Sequence, residues 1–335
     1  MNWERGNSDV GGQRLVWERS GEGEALLLVM GLGSQMVFWP DEFCARLVAA
    51  GYQVIRYDNR DIGLSGRREG KVPLGRLVAG YLLQRKPAAP LPYGLTDMAA
   101  DAAGLLEDLG IPAAHVVGVS MGGMIAQQLA ITHPQRVKSM ASIMSSPGGR
   151  WVGQLSAMLA ILRERGSSRE EVQESTVRLF QRIGGSLPID ADHLRGLVGV
   201  AHDRGMNPAG FQRQLAAVLS AEDRREQLKK IQIPTVVIHG TEDPLVPMRA
   251  DHLEAVLAIE QVAYSHPWTR GNFVDSMASG YLMQCRVDSA GTCLGYLVAM
   301  PGVQEMHLLN LTVEPAHQRR GHAQAMLGWL SRCIS

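Results

Sequence analysis

A serine set among glycines, in VVGVSMGGM at residues 116–124, carries the clearest chemistry in this chain. Val116 and Val117 read as a strand, Gly118-Val119-Ser120-Met121-Gly122 as a tight turn, and Met124 to Ala130 as the opening of a helix. In G-x-S-x-G the serine occupies a strained strand-to-helix turn, the nucleophile elbow, and only small residues two positions either side let the backbone close. The chemistry is attack of Ser120 Oγ on a carbonyl carbon. A serine hydroxyl is a poor nucleophile by itself, so it needs a general base and an acid that orients the base. The backbone N–H of Met121, at a helix N-terminus whose dipole favours negative charge, would meet the oxyanion. The competing explanation is a plain turn serine; the strand before it and the helix after it favour the nucleophile.

The elements that must hold this turn follow the rhythm of a parallel sheet. Residues 13–19 (QRLVWER) alternate as a strand, and 25–30 (ALLLVM) form an apolar run closed by Gly31-Leu32-Gly33, as a strand buried on both faces requires. A helix over 41–50, a glycine at 51 and a strand over 52–57 complete a βαβ unit. A helix over 101–109 precedes the elbow strand, which starts at His115, and 137–144 gives the next strand. From Ser145 to Leu228 the pattern becomes helical, with segments at 151–163, 169–183 and 209–219, which predicts a lid lining an acyl pocket. The strand PTVVIH at 234–239 then restores the sheet, followed by Gly240-Thr241-Glu242-Asp243-Pro244.

Composition narrows the partners. With 335 residues the chain has room for one large α/β domain and a smaller unit. Its 33 basic and 33 acidic residues leave no net field for nucleic acid or an anionic membrane. The cysteines, at 44, 285, 293 and 333, lack the spacing of a disulfide framework or a zinc site. The polar start MNWERGNSDVGG lacks a signal peptide's apolar core, and no apolar run reaches the ~18 residues of a membrane span. The expectation is a cytoplasmic, reduced protein without metal, nucleic-acid or membrane partners; the oligomeric state is left open.

Residues 10–255, through MGLGSQMVFWP, YDNRDIGLSG, GVSMGGMIAQ and HGTEDPLVP, resemble the α/β-hydrolase superfamily. DNRDIGLS looks like a branch of small ester hydrolases that includes anthracycline methylesterases. The resemblance implies a mostly parallel sheet with a helical lid, a small-molecule ester substrate and no cofactor. By loop position the second oxyanion donor would be the N–H of Leu32. The order serine, then aspartate, makes Asp243 the triad acid, ahead of its neighbour Glu242; otherwise Asp243 is a turn residue before Pro244. The base should follow roughly 25 to 30 residues on, after one more helix and strand. His266 is the only histidine near that window, and a short strand over Gln261–Tyr264 could precede it, but the expected glycine-flanked turn is missing. His252 falls in the intervening helix and reads as a surface residue.

Residues 257–335 resemble instead part of the GNAT acetyltransferases, closest to ribosomal-protein alanine N-acetyltransferases. The resemblance rests on IEQVAYSHPW (259–268), NLTVEP (310–315) and QRRGHA (318–323). It implies a partial α+β unit, with Pro267-Trp268 after the first helix and acetyl-CoA held by Leu311, Val313, Arg319, Arg320, Gly321, His322 and Ala323. The physics is pyrophosphate binding by backbone N–H groups at a strand-to-helix turn. The expected organisation is a hydrolase core over 1–144, a lid over 145–228, the core resumed over 229–256 and a truncated GNAT-like fragment over 257–335. The chain thus looks like a fusion of two truncated genes. Three readings stand: an ester hydrolase with weakened or lost activity, an acetyl-CoA-dependent N-acetyltransferase, and a non-catalytic fusion product.

Overall fold

The computed structural model describes residues 1–73, 75, 91–148, 168–183, 189–238, 248, 252–287, 292–301 and 306–334. The chain divides into two compact units. The first comprises Met1–Arg150, Ser168–Glu174 and Asp190–His239, and the second Trp151–Ser167, Ser175–Ile189 and Gly240–Ser335.

The first unit is built on seven strands: β1 (Glu4–Val10), β2 (Gln13–Ser20), β3 (Glu24–Val29), β4 (Tyr52–Tyr57), β5 (Ala114–Val119), β6 (Val137–Ile143) and β7 (Thr235–Ile238). Their order is β1-β2-β4-β3-β5-β6-β7. Strand β1 joins β2 antiparallel and β2 joins β4 antiparallel, and every later pair is parallel. The mostly parallel sheet therefore matches the expectation. Strand β1 does not figure in the sequence reading, because ERGNSDV has no apolar run; Gly11 and Gly12, at φ 56° and 77°, supply the left-handed turn that pairs it with β2.

Alternation along β3 divides the core. Leu27 and Val29 pack with helices α2 (Leu95–Asp108) and α3 (Met121–Thr132), through residues such as Leu105 and Ile125. Leu26 and Leu28 face the other way, toward Cys44 of α1 (Asp41–Ala49) and Trp39. After β6 come α4 (Arg169–Ile183), α5 (Ala191–Arg204), α6 (Pro208–Leu219) and the single turn α7 (Arg225–Leu228). Helices α4 and α6 lie where the apolar spacing predicts them; the expected helix over 151–163 lies outside the described residues.

The second unit contains α8 (Leu253–Ala263), α9 (Arg270–Ala278), β8 (Leu282–Val287), β9 (Cys293–Pro301), β10 (Met306–Val313) and α10 (His322–Ile334). The strands form an antiparallel sheet in the order β10-β9-β8, with a bulge in β10 between Leu308 and Asn310. Leu253, Val256 and Ile259 of α8 pack with Phe273 and Tyr296, while Met326 and Leu330 of α10 pack with Leu297 and Ala299. The strand considered over 261–264 is corrected: α8 runs to Ala263, and Tyr264 only caps it. Apolar residues at helical spacing along 253–259, seated on Phe273 and Tyr296, outweigh the short β-prone run.

Candidate active site

Ser120 has φ 55° and ψ −120°, in the strained region a non-glycine residue occupies only when its surroundings force it. Those surroundings are the glycines. A β-carbon on Gly118 would lie 2.2 Å from the Gly122 carbonyl oxygen, and one on Gly122 would lie 2.1 Å from that of Val29. The Ser120 N–H donates to the Ile143 carbonyl at 2.8 Å, and its own carbonyl accepts from Gly123 N–H at 2.9 Å and Ser145 Oγ at 2.8 Å. The turn is thus tied to β6 on one side and to α3 on the other, and Ser120 is exposed at the carboxyl end of β5.

Parallel pairing of Val29 with Gly118 carries the loop after β3 to the same edge. A β-carbon on Gly31 would stand 3.3 Å from Ser120 Cβ and 3.8 Å from Oγ. Gly33, at φ 70°, donates its N–H to Gln214 Oε1 at 2.9 Å. Leu32 lies between these two anchored glycines. Met121 is buried and opens α3, so its N–H has no partner within the helix. The structure therefore brings Ser120, Met121 and the Leu32 loop together.

The D-N-R-D segment, read from the sequence as a family mark only, is a buried polar hub. Asp58 accepts from Met36 N–H at 2.8 Å and from Arg204 at 2.5 Å. Asn59 Nδ2 donates to the Met30 carbonyl at 3.0 Å. Arg60 forms a two-pronged pair with Asp101 at 2.6 and 2.7 Å, and Asp61 forms one with Arg213 at 2.8 Å on both arms. Burial alone would raise the Asp61 carboxyl, but the Arg213 guanidinium and the Arg68 N–H hold it below the usual range.

Asp243 lies outside the described residues. His266 is exposed in the turn after α8, and among the described residues its hydrogen-bond partner is Ser265 Oγ at 3.1 Å, not a carboxylate. A histidine–carboxylate pair that the sequence reading missed joins His115 Nε2 to Glu24 at 2.9 Å. It sits at the amino end of β5, about 16 Å along the strand from Ser120 at the usual ~3.3 Å per residue. That separation bars it from serving as the base. The glutamate is held down to about 2 by hydrogen bonds from His115 and then Lys138.

In the second unit Leu311 and Val313 lie on β10, Arg319 to Gly321 form the turn into α10, and His322 and Ala323 open that helix. Arg319 and Gly321 have φ 61° and 83°, and Ala325 N–H bonds the Gly321 carbonyl at 2.9 Å. Arg319 and Arg320 are exposed. The His322 imidazole is pushed below its ordinary value, first by burial and then by Arg286, His317 and Arg320. A separate network, also unseen in the sequence, surrounds buried Glu260. It accepts from Trp268 N–H at 2.8 Å, from the Tyr296 hydroxyl and from Asn310 Nδ2 at 3.3 Å. Among the described residues no cluster of His, Cys, Asp or Glu is arranged for a metal, and no helix is long and apolar enough to cross a membrane.

A serine on a strained strand-to-helix turn, at the carboxyl edge of a mostly parallel sheet, defines a class. The alpha/beta hydrolase fold model matches residues 24–266, and the chain belongs to that family. Rhodomycin D methylesterase of Streptomyces peucetius is 28% identical over 277 residues, spanning 72% of this chain and 85% of the relative. The 3-oxoadipate enol-lactonase 2 of Acinetobacter baylyi is 28% identical, spanning 66% of this chain and 72% of its own. Among solved structures, an esterase from Exiguobacterium antarcticum superimposes with a TM-score of 0.53 at 20% identity, covering 72% of this chain and 82% of that one.

Proposed function

We propose that the chain is a serine hydrolase acting on small carboxylic esters by acyl transfer through Ser120. The observation that carries the reading is the strained φ of Ser120, forced by glycines that leave its side chain exposed. Ser120 Oγ attacks the acyl carbon, the N–H groups of Met121 and Leu32 receive the oxyanion, and Asp243 is the acid. The methylesterase and enol-lactonase relatives, which cleave acyl–oxygen bonds by name, support the ester class. His115 lies at the wrong end of β5 to serve as base, and His266 has no carboxylate to orient it among the described residues. Turnover is therefore slow, since a triad lacking one member keeps about 10³ to 10⁴-fold catalysis over water. The test is hydrolysis of p-nitrophenyl butyrate: slow release abolished by Ser120→Ala supports the reading. Release unaffected by that change would remove Ser120 from the chemistry. Fast turnover lost on His266→Ala would establish His266 as the base and overturn the expectation of a weakened enzyme.

A second reading is favoured by one observation, the succession in the second unit of an antiparallel sheet, a turn with Arg319 in a left-handed conformation, and α10. Such a turn presents backbone N–H groups to an anion. On this reading residues 257–335 form an acetyltransferase-like fragment that binds acetyl-CoA weakly through Arg319 and Arg320. Calorimetric titration tests it: weak binding lost in the Arg319→Ala, Arg320→Ala double variant supports it, and heat unchanged by that variant overturns it. Tight binding with acetylation of a peptide N-terminus would make the second unit the catalytic one.

A further inference from the structure

Gln214, on α6, is fully buried and uses both ends of its amide. Its Oε1 accepts from Gly33 N–H at 2.9 Å, and its Nε2 donates to the Arg60 carbonyl at 2.9 Å. Reversing the amide would set two donors and two acceptors against each other, so its orientation is determined. One residue thus links the loop after β3, the D-N-R-D hub and an inserted helix. Two further ties act on the same loop. Gln35 Oε1 accepts from Arg204 Nε at 2.8 Å, while its Nε2 donates to the Ala201 and Gly205 carbonyls at 2.6 and 3.0 Å. Asp58 holds Met36 N–H and Arg204 together. The loop also has no slack at Gly33, where a β-carbon would lie 2.5 Å from the Phe211 ring of the same helix.

We propose that Gln214 is a positioning residue: by holding Gly33 N–H it sets the direction of the Leu32 N–H at the oxyanion site, coupling α6 to transition-state stabilisation at Ser120. The inference rests on the serine-hydrolase reading. Leu32 is a single residue between Gly31, which abuts Ser120, and Gly33, which Gln214 holds. The Leu32 N–H lies in the Gly31–Leu32 peptide unit, whose carbonyl accepts from Ser34 N–H at 3.2 Å. The Leu32–Gly33 unit that Gln214 holds adjoins it at the Leu32 α-carbon, so releasing Gly33 lets the whole Gly31–Ser34 turn, and the Leu32 N–H with it, shift. The oxyanion exists only as the reaction proceeds, so loss of the tie slows the chemical step and leaves ground-state affinity unchanged.

The experiment is covalent labelling of Ser120 by a p-nitrophenyl alkylphosphonate, read as a maximal rate and a half-saturating concentration. Gln214→Met fills the space without either hydrogen bond. Its maximal rate is expected to fall at least about tenfold, with half-saturation within about twofold of wild type, as expected for a misdirected oxyanion donor. Gln214→Glu retains an acceptor for Gly33 N–H and is expected to recover most of the rate. An unchanged maximal rate in Gln214→Met, or an equal loss in both variants, overturns the proposal while leaving Ser120 as nucleophile. A wild-type protein that is not labelled at Ser120 overturns the hydrolase reading, and this inference with it. Should Gln214→Met fail to fold, hydrogen exchange of the wild-type Gly33 amide decides: strong protection supports the tie, and exchange at the rate of an open loop refutes it.

Discussion

Gly31 lies against Ser120, so close that a β-carbon at position 31 would stand 3.3 Å from Ser120 Cβ and 3.8 Å from its Oγ. It would also stand 3.3 Å from the Val119 carbonyl oxygen, and both 3.3 Å contacts are of a kind that a shift of a few tenths of an ångström relieves. Gly122 is different, because its β-carbon would meet the Val29 carbonyl oxygen at 2.1 Å, and strand β3 cannot yield. Gly31→Ala is therefore expected to slow phosphonate labelling of Ser120 while costing under about 1 kcal/mol, whereas Gly122→Ala costs ~3 kcal/mol or more by overpacking. Urea unfolding of both variants measures the contrast; equal stabilities would refute it.

Asp61 and Arg213 form a buried pair, and the folded carboxyl titrates below its ordinary value. A depressed acid stabilises the fold above its unfolded pKa, near about 4, and loses that contribution as pH falls through the folded value. Asp61→Asn leaves Arg213 unpaired and is expected to cost roughly 3 kcal/mol at pH 7. Asparagine tolerates the φ of 70° at this position, so the change isolates the charge. Melting temperatures from about pH 2.5 to 8 should fall less steeply on the acid side in the variant than in wild type. Parallel profiles would remove Asp61 from the acid response.

Strand β7 pairs with β6 alone among the described residues, and Val236, Val237 and Ile238 are 51%, 69% and 49% exposed. A short edge of β-branched residues is a template for intermolecular pairing. Val237→Lys should delay aggregation on concentration, followed by light scattering, with stability changed by no more than about 0.5 kcal/mol. Unaltered scattering would mean that this edge does not nucleate association.

Glu260 gathers the Trp268 N–H, the Tyr296 hydroxyl and Asn310 Nδ2 at a buried carboxylate. Glu260→Ala strands these donors and is expected to destabilise the second unit by about 3 kcal/mol. The readout is limited proteolysis: faster cleavage within residues 257–335, with the first unit's fragments unchanged. Equal resistance in variant and wild type would show that the network adds no stability.

The elbow was legible because its requirements are local. Gly118, Ser120 and Gly122 are constrained by one turn of backbone, and strand, turn and helix follow one another within VVGVSMGGM. Strand β3 was legible for a similar reason, since a strand buried on both faces must be apolar throughout. Strand β1 and helix α5 were not, because a polar hairpin strand and a helix of low apolar contrast take their structure from pairing and packing.

Sequence by itself determined the family and marked out the serine proposed as its nucleophile. Tertiary structure decided what surrounds that serine. Gln214 meets Gly33 across 181 positions, and Arg213 meets Asp61 across 152. It also made residues 261–263 helix, where a short apolar run could have been strand. Glycine restrictions act through neighbouring peptide units and so leave their mark in consecutive residues. Hydrogen bonds and ion pairs between distant segments act only once the sheet has brought those segments together, and a linear pattern of residue types holds no record of them.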